Sequence, residues 1–261
     1  MKELGKFRFF IIAILIILVV VGCGTKKKTI NEVNDLANSN VGVYASSEYD
    51  RIIESYVPSA VPKYYSSYAD QISALKSGKI DGFLTDEPLA KEILKETSGL
   101  KVLEGKLTED SYAFAISPAK KDLQVQINKV MEEMEKEGLY KKFEDKWMGS
   151  LESKKVLEKY DYEPVNGTVV FGTVSTIVPF SYVKDNEVVG YDIDVIKYVC
   201  YKLKYKLEIV EMAFDGIIPS LVSNKIDVAG ASIIVTEERK KSVLFSNPDY
   251  TGGIFVVVRA E

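Results

Sequence analysis

The sequence predicts a mixed α/β chain built as two open sheets, and three observations predict it. From residue 41 to residue 258, short apolar runs of strand length alternate with amphipathic runs of helix length, the arrangement of strand–helix units around open sheets. The decapeptide ISALKSGKID at 72–81 returns as IPSLVSNKID at 218–227, with six of ten positions identical at a spacing of 146 residues. Between the copies, residues 149–167 are charged and poorly periodic and close on the turn Pro164-Val165-Asn166-Gly167, so they read as a linker. A chain of 261 residues has room for one or two such domains.

In order, the first half reads as strand 41–44, helix 48–57, strand 62–65, helix 68–77, strand 80–85, helix 87–96 and strands 100–103 and 112–116. A long amphipathic helix follows from 120 to 137, is stopped by Gly138, and gives way to a shorter one over 139–147. The second half reads as strand 168–173, a hairpin of 180–183 and 188–190 around Asp185-Asn186, and helix 192–203. Strand 206–211, helix 215–223, strand 226–231, helix 236–242 and strand 253–258 complete it. In the repeated decapeptide, Ile and Leu three apart face a core and the helix stops at Gly78 or Asn224, the two residue types that best tolerate a left-handed C′ position. Two unrelated helix-to-strand turns could look alike, but the flanking pattern favours duplication. Cys200 shares a helix with Val195 and Val199 and reads as a buried thiol.

Composition excludes several functions. Histidine is absent, which removes histidine general acid–base catalysis, the Ser-His-Asp and Cys-His triads and the commonest zinc ligand. Thirty-four basic against 38 acidic residues offer no broad basic surface for nucleic acid. Two cysteines, Cys23 and Cys200, are too few for a disulfide framework. No cofactor and no metal set is expected. Lys2, Lys6 and Arg8 precede a thirteen-residue apolar run from Phe9 to Val21, the length of a secretory h-region and short of a membrane span. The alternative is a short uncleaved anchor; either places the rest of the chain outside the cytoplasm. Lys26, Lys27 and Lys28 make a polar tether.

Several segments resemble a known family. The run GYDIDVIKYVCYKL over 190–203 is similar to the signature of bacterial extracytoplasmic solute-binding proteins, family 3, which serve polar amino-acid ABC transporters. Residues 214–221 (FDGIIPSL) and 236–246 (TEERKKSVLFS) continue the pattern. VGVYASS over 41–47, GKIDGFLTDEP over 78–88, YAFAI over 112–116 and residues 139–147 resemble the family's other lobe. The Val20-Val21-Gly22-Cys23 tetrapeptide resembles a lipobox, which implies lipidation at Cys23. The resemblance implies a two-lobed periplasmic-binding-protein-like fold joined by a two-strand hinge. The family's second lobe comes first here, which implies a circular permutation; a fragment of a longer permease fusion is the rival reading.

On this basis residues 1–22 are a lipoprotein signal peptide, 23–29 a tether and 30–111 the first lobe. Residues 112–150 are a hinge crossing with helices returning to the other lobe, 151–167 a linker and 168–261 the second lobe. The hinge crossings are expected at Tyr112–Ile116 and Ile254–Val258, side by side, with the helices of 120–147 packed on the second lobe.

The resemblance also implies site residues. Asp86 matches the carboxylate that takes a ligand's α-ammonium, and Arg239 the guanidinium that clamps its α-carboxylate. Ser46 and Ser47 precede a helix and would hold the same carboxylate; Ser232 would add a hydroxyl or main-chain contact, and Phe214 an aromatic wall. Tyr44, Val174, Ile177 and Ile234 depart from the family pattern toward an apolar pocket, with no carboxylate at 174 for a basic side chain. The implied function is capture of a free amino acid by lobe closure and delivery to an ABC importer permease. The protein would be a lipid-anchored, extracytoplasmic monomer, a binder and not an enzyme. A sensor, a degenerate non-binding member, or a secreted lyase of the same fold are the alternatives.

Overall fold

The computed structural model describes residues 28–151 and 154–260. The expected signal peptide and Cys23 lie outside the described residues. The first half contributes β1 (Asn40–Tyr44), α1 (Tyr49–Tyr56), β2 (Val61–Tyr65), α2 (Tyr68–Ser77), β3 (Gly82–Asp86), α3 (Glu87–Glu96) and β4 (Leu100–Val102). Then come β5 (Asp110–Tyr112), β6 (Ala115–Ile116), α4 (Lys121–Lys136) and α5 (Leu139–Trp147). The second half gives β7 (Thr168–Thr173), β8 (Thr176–Ile177), β9 (Ser181–Lys184), β10 (Glu187–Val189), α6 (Tyr191–Leu203), β11 (Lys206–Glu211) and α7 (Ile217–Val222). It ends with β12 (Val228–Ala229), α8 (Glu237–Lys240), β13 (Leu244–Phe245), β14 (Tyr250–Gly252) and β15 (Ile254–Arg259).

Two five-stranded sheets carry the fold, in the orders β2-β1-β3-β15-β4 and β11-β7-β12-β6-β13. Within each, three strands from one half run parallel, and an antiparallel fourth strand arrives from the other half. This corrects one boundary. The sequence division placed everything from 168 to 261 in the second lobe, whereas β15 pairs with β3 and β4 and is a strand of the first. The strand read at 112–116 is likewise two: β5 pairs antiparallel with β14, Tyr112 opposite Tyr250, and only then do β6 and β15 diverge into opposite sheets.

The repeated decapeptide does the same physical work twice. Gly78 (φ 79°) and Asn224 (φ 57°) both sit in the left-handed region, which ends the helix and turns the chain toward the sheet. The turn is closed alike, by Lys79 N donating to Ala74 O and Lys225 N to Ser220 O, each at 2.9 Å. Each repeat aspartate pairs with a base just past the crossing strand or at its end: Asp81 with Arg259 at 3.1 Å, Asp227 with Lys120 at 2.9 Å. Each repeat isoleucine lies against a strand glycine. A Cβ on Gly42 would meet Ile80 Cδ1 at 2.8 Å, and one on Gly172 would meet Ile226 Cδ1 at 2.4 Å.

Helices α4 and α5 pack against α6, on the second lobe. The fastening is the wholly buried Asp194 of α6, which accepts Trp147 Nε1 at 2.7 Å and the Glu158 backbone N–H at 2.9 Å and pairs with Lys146. The segment read as a linker lies along the same helix, with Tyr160 stacked on Tyr201 at 4.8 Å and 13°. Cys200 is buried there, and burial pushes its thiol up to about 12. Among the described residues, no helix is long and apolar enough to cross a membrane.

Candidate functional site

Where the lobes meet, both contribute to one small cavity. The first lobe supplies Tyr44 at the end of β1, Ser47, Glu48 and Tyr49 at the start of α1, Tyr68 on α2 and Asp86 at the end of β3. The second supplies Ile177 on β8, Phe214, Ala231, Ser232, Ile234 and Arg239 on α8. The cavity volume is ≈ 20 Å³, room for about one water. Both halves offer strand ends and helix starts, the part of an open α/β sheet where ligands bind.

Asp86 is 2% exposed. Its Oδ1 accepts the Tyr112 hydroxyl at 2.7 Å and its Oδ2 the Ser232 hydroxyl at 2.8 Å. Burial raises its carboxyl to about 6, against the lowering effect of those two donors. Ser232 is held in turn by Asp192, whose Oδ2 accepts the Ser232 backbone N–H at 3.2 Å. Burial lifts Asp192 to about 7 and Asp249, which feels the charge of Asp192, well above its ordinary value. Three buried acids therefore gather beside the hinge, and a cation brought to Asp86 would relieve an unfavourable burial.

Arg239 is the cation opposite, 9% exposed. Thr236 caps the short α8, accepting the Arg239 backbone N–H at 3.2 Å, and so fixes where the side chain starts. Nη1 donates to Ile234 O at 2.9 Å, and Nη2 reaches the other lobe to donate to Ser46 O at 3.1 Å. The guanidinium lies 5.6 Å from the Phe214 ring centroid, a cation–π contact. Glu48 Oε1 stands 3.6 Å from Nε. Burial lowers the Arg239 pKa and Glu48 opposes it.

Seven of the eight expected ligand residues, Tyr44, Ser47, Asp86, Ile177, Phe214, Ser232 and Arg239, line this cavity. The eighth, Ser46, lines a neighbouring pocket with Phe214 and Arg239. The serines hold unexpected postures. Ser46 is left-handed (φ 63°) and presents its carbonyl, not its hydroxyl, to Arg239. Ser47 Oγ donates to Tyr44 O at 2.7 Å and accepts the Tyr49 backbone N–H at 3.2 Å. Sequence reasoning missed Glu48, Tyr49 and Tyr68. The tyrosines carry a signal in hindsight: Tyr44, Tyr49 and Tyr68 are an aromatic cluster over a single lobe's strand ends, with Tyr44 and Tyr68 rings 5.0 Å apart. Among the described residues, no group of His, Cys, Asp and Glu is arranged to hold a metal.

Comparison with known proteins gives this geometry a relationship. Residues 169–261 match the model of the bacterial extracellular solute-binding proteins, family 3. A probable histidine-binding protein of Campylobacter jejuni is 37% identical over 83 residues, 32% of this chain and 32% of that one. ABC transporter arginine-binding protein 1 of Escherichia coli (strain K12) is 35% identical over 92 residues, 35% of this chain and 38% of that one. The structure of an ancestral arginine-binding protein bound to arginine is 49% identical over 30% of this chain and 34% of its own, with a TM-score of 0.29. The chain thus spans about a third of the length of the curated relatives it matches. The similarity to the bacterial extracellular solute-binding proteins, family 3, is carried by residues 169–261, in the second half of the chain.

Proposed function

We propose that the protein captures a small free amino acid between its lobes and hands it to an ABC importer permease. One observation carries the reading: a buried anion, Asp86, and a buried cation, Arg239, come from different lobes to line the same cavity. An amino-acid zwitterion has the complementary pair of charges, and only apposed lobes satisfy both ends, so binding shifts the population toward closure. The apolar lining of Tyr44, Phe214, Ile177 and Ile234 favours an uncharged side chain. Support for family descent of the first half comes from its sheet, which has the strand order of the second and shares its repeat. We read the order of the halves as a circular permutation. On the same reading residues 1–22 direct export and Cys23 carries the lipid that holds the protein at the outer face of the membrane.

Titration calorimetry against the proteinogenic amino acids tests the proposal. Binding of an uncharged amino acid, lost or weakened by about 3–5 kcal/mol in Arg239→Ala, is the expected result. Folded protein that gives no heat with any of them, or binding that Arg239→Ala leaves intact, overturns it.

A further inference from the structure

Resting on that reading, we infer that Glu48 is a built-in competitor for the Arg239 seat, a protein carboxylate that must leave before a ligand carboxylate can bind. The guanidinium already faces protein acceptors on the first lobe: Ser46 O at 3.1 Å from Nη2, and Glu48 Oε1 at 3.6 Å from Nε. Glu48 is the N-cap residue of α1, and its side chain is only 15% exposed. It is therefore held at the cavity wall by the helix start and not by a flexible loop. A carboxylate attached to the protein is present at a high effective concentration, so it contends with free carboxylates without any opposing ligand.

Glu48 also has somewhere else to go. Its Oε2 accepts Arg51 Nη1 at 3.2 Å, one turn along α1, and Arg51 is 64% exposed. Two arginines thus share one acid, the first inside the cavity and the second at the surface. When a ligand carboxylate takes Arg239, Glu48 keeps its charge compensated by turning to Arg51. Arg51 is the outward pull on the competitor and sets how often the seat is free. Where only a fraction of molecules has a free seat, the apparent dissociation constant rises by the reciprocal of that fraction.

The inference makes two neighbouring substitutions move affinity in opposite directions. Glu48→Gln removes the competing charge and should tighten L-leucine or L-glutamine, whichever the protein binds, by about three- to tenfold. Glu48→Ala removes the acceptor as well and should act in the same direction. Arg51→Ala takes away the outward partner and should weaken the same amino acid by about two- to fivefold. The carboxamides of the two amino acids keep the ammonium and lose the carboxylate, so their binding should be insensitive to Glu48. Calorimetry with wild type and the three variants, each checked by thermal melting, reads all of this. Unchanged or weaker amino-acid binding in both Glu48 variants, or an equal gain for the carboxamide, overturns the competitor role and leaves the binding function standing. No binding of any amino acid by wild type or variants overturns both.

Discussion

The Asp86 carboxylate accepts the Ser232 hydroxyl at 2.8 Å, and the two residues follow the two copies of the repeat at the same offset, 146 residues apart. Each stands five residues beyond its repeat aspartate, Asp81 or Asp227. The lobes therefore meet through equivalent positions, one bearing an acid and the other a hydroxyl. Two acids at this distance would repel in a buried site; acid and hydroxyl make a bond. Ser232 is set for it by a left-handed backbone (φ 54°) and by its N–H on Asp192.

Burial of Asp86 makes stability depend on pH in a stated direction. Its folded pKa, about 6, lies above the usual 3.8, so the folded protein holds this proton more tightly than the unfolded chain does. That contribution is complete below about pH 4 and is lost as pH rises through about 6. The difference amounts to at most about 3 kcal/mol. Asp86→Asn cannot ionise and, like the protonated acid, accepts one of the two hydroxyls while donating to the other, so it should be more stable than wild type at pH 8 and level with it at pH 4. Denaturant melts at the two pH values decide it. A gap that is the same at both would show that ionisation of Asp86 is not responsible.

Gly42 and Gly172 should each refuse a methyl group. In both lobes the repeat isoleucine presses its δ-methyl onto the first strand of the sheet, at the 2.8 and 2.4 Å a Cβ would have to share. Gly42 is additionally hemmed by Phe83 Cβ at 2.9 Å. Alanine at either position should destabilise the protein by about 1–3 kcal/mol through overpacking. Pairing Gly172→Ala with Ile226→Val should recover part of the loss, since the valine lacks the colliding Cδ1. A double variant no more stable than Gly172→Ala alone would place the clash elsewhere.

What was legible in the sequence was local, and what was not was partner choice across the chain. The repeat could be read because a left-handed stop at Gly78 or Asn224 and a strand beginning at the next apolar residues are decided within ten residues. Asp86, Arg239 and Phe214 were expected together on a resemblance of their segments, and all three line one cavity. The run Val256-Val257-Val258 is apolar enough for a strand in either sheet, and nothing in it says that β3 and β4 are its neighbours. Glu48 reads as an ordinary helix N-terminus, and its tie to Arg239 exists only after the lobes come together. Residues 156–164 alternate charged with apolar and aromatic residues, so the packing of Tyr160 and Tyr162 on Tyr201 is hidden behind a linker-like composition. The two-residue strands β8 and β13 are too short to leave a period.

Trp147 should report on how α5 is held to the second lobe. Its indole is wholly buried, edge-on to Tyr182 at 6.1 Å, and its Nε1 is one of three donors gathered by Asp194. Phenylalanine at 147 keeps most of the apolar contact and removes that donor, so a buried carboxylate oxygen loses a hydrogen bond of 2.7 Å. The cost should be about 1–3 kcal/mol, less than full exposure of Asp194 would bring, because Lys146 and the Glu158 N–H remain. The loss should be uneven. Amides of α5 and of residues 156–160 are tied to α6 through the same carboxylate, and their hydrogen exchange should accelerate before that of β1 or β3 in the first lobe. Uniform acceleration across both lobes would mean that Asp194 does not fasten this segment as a unit.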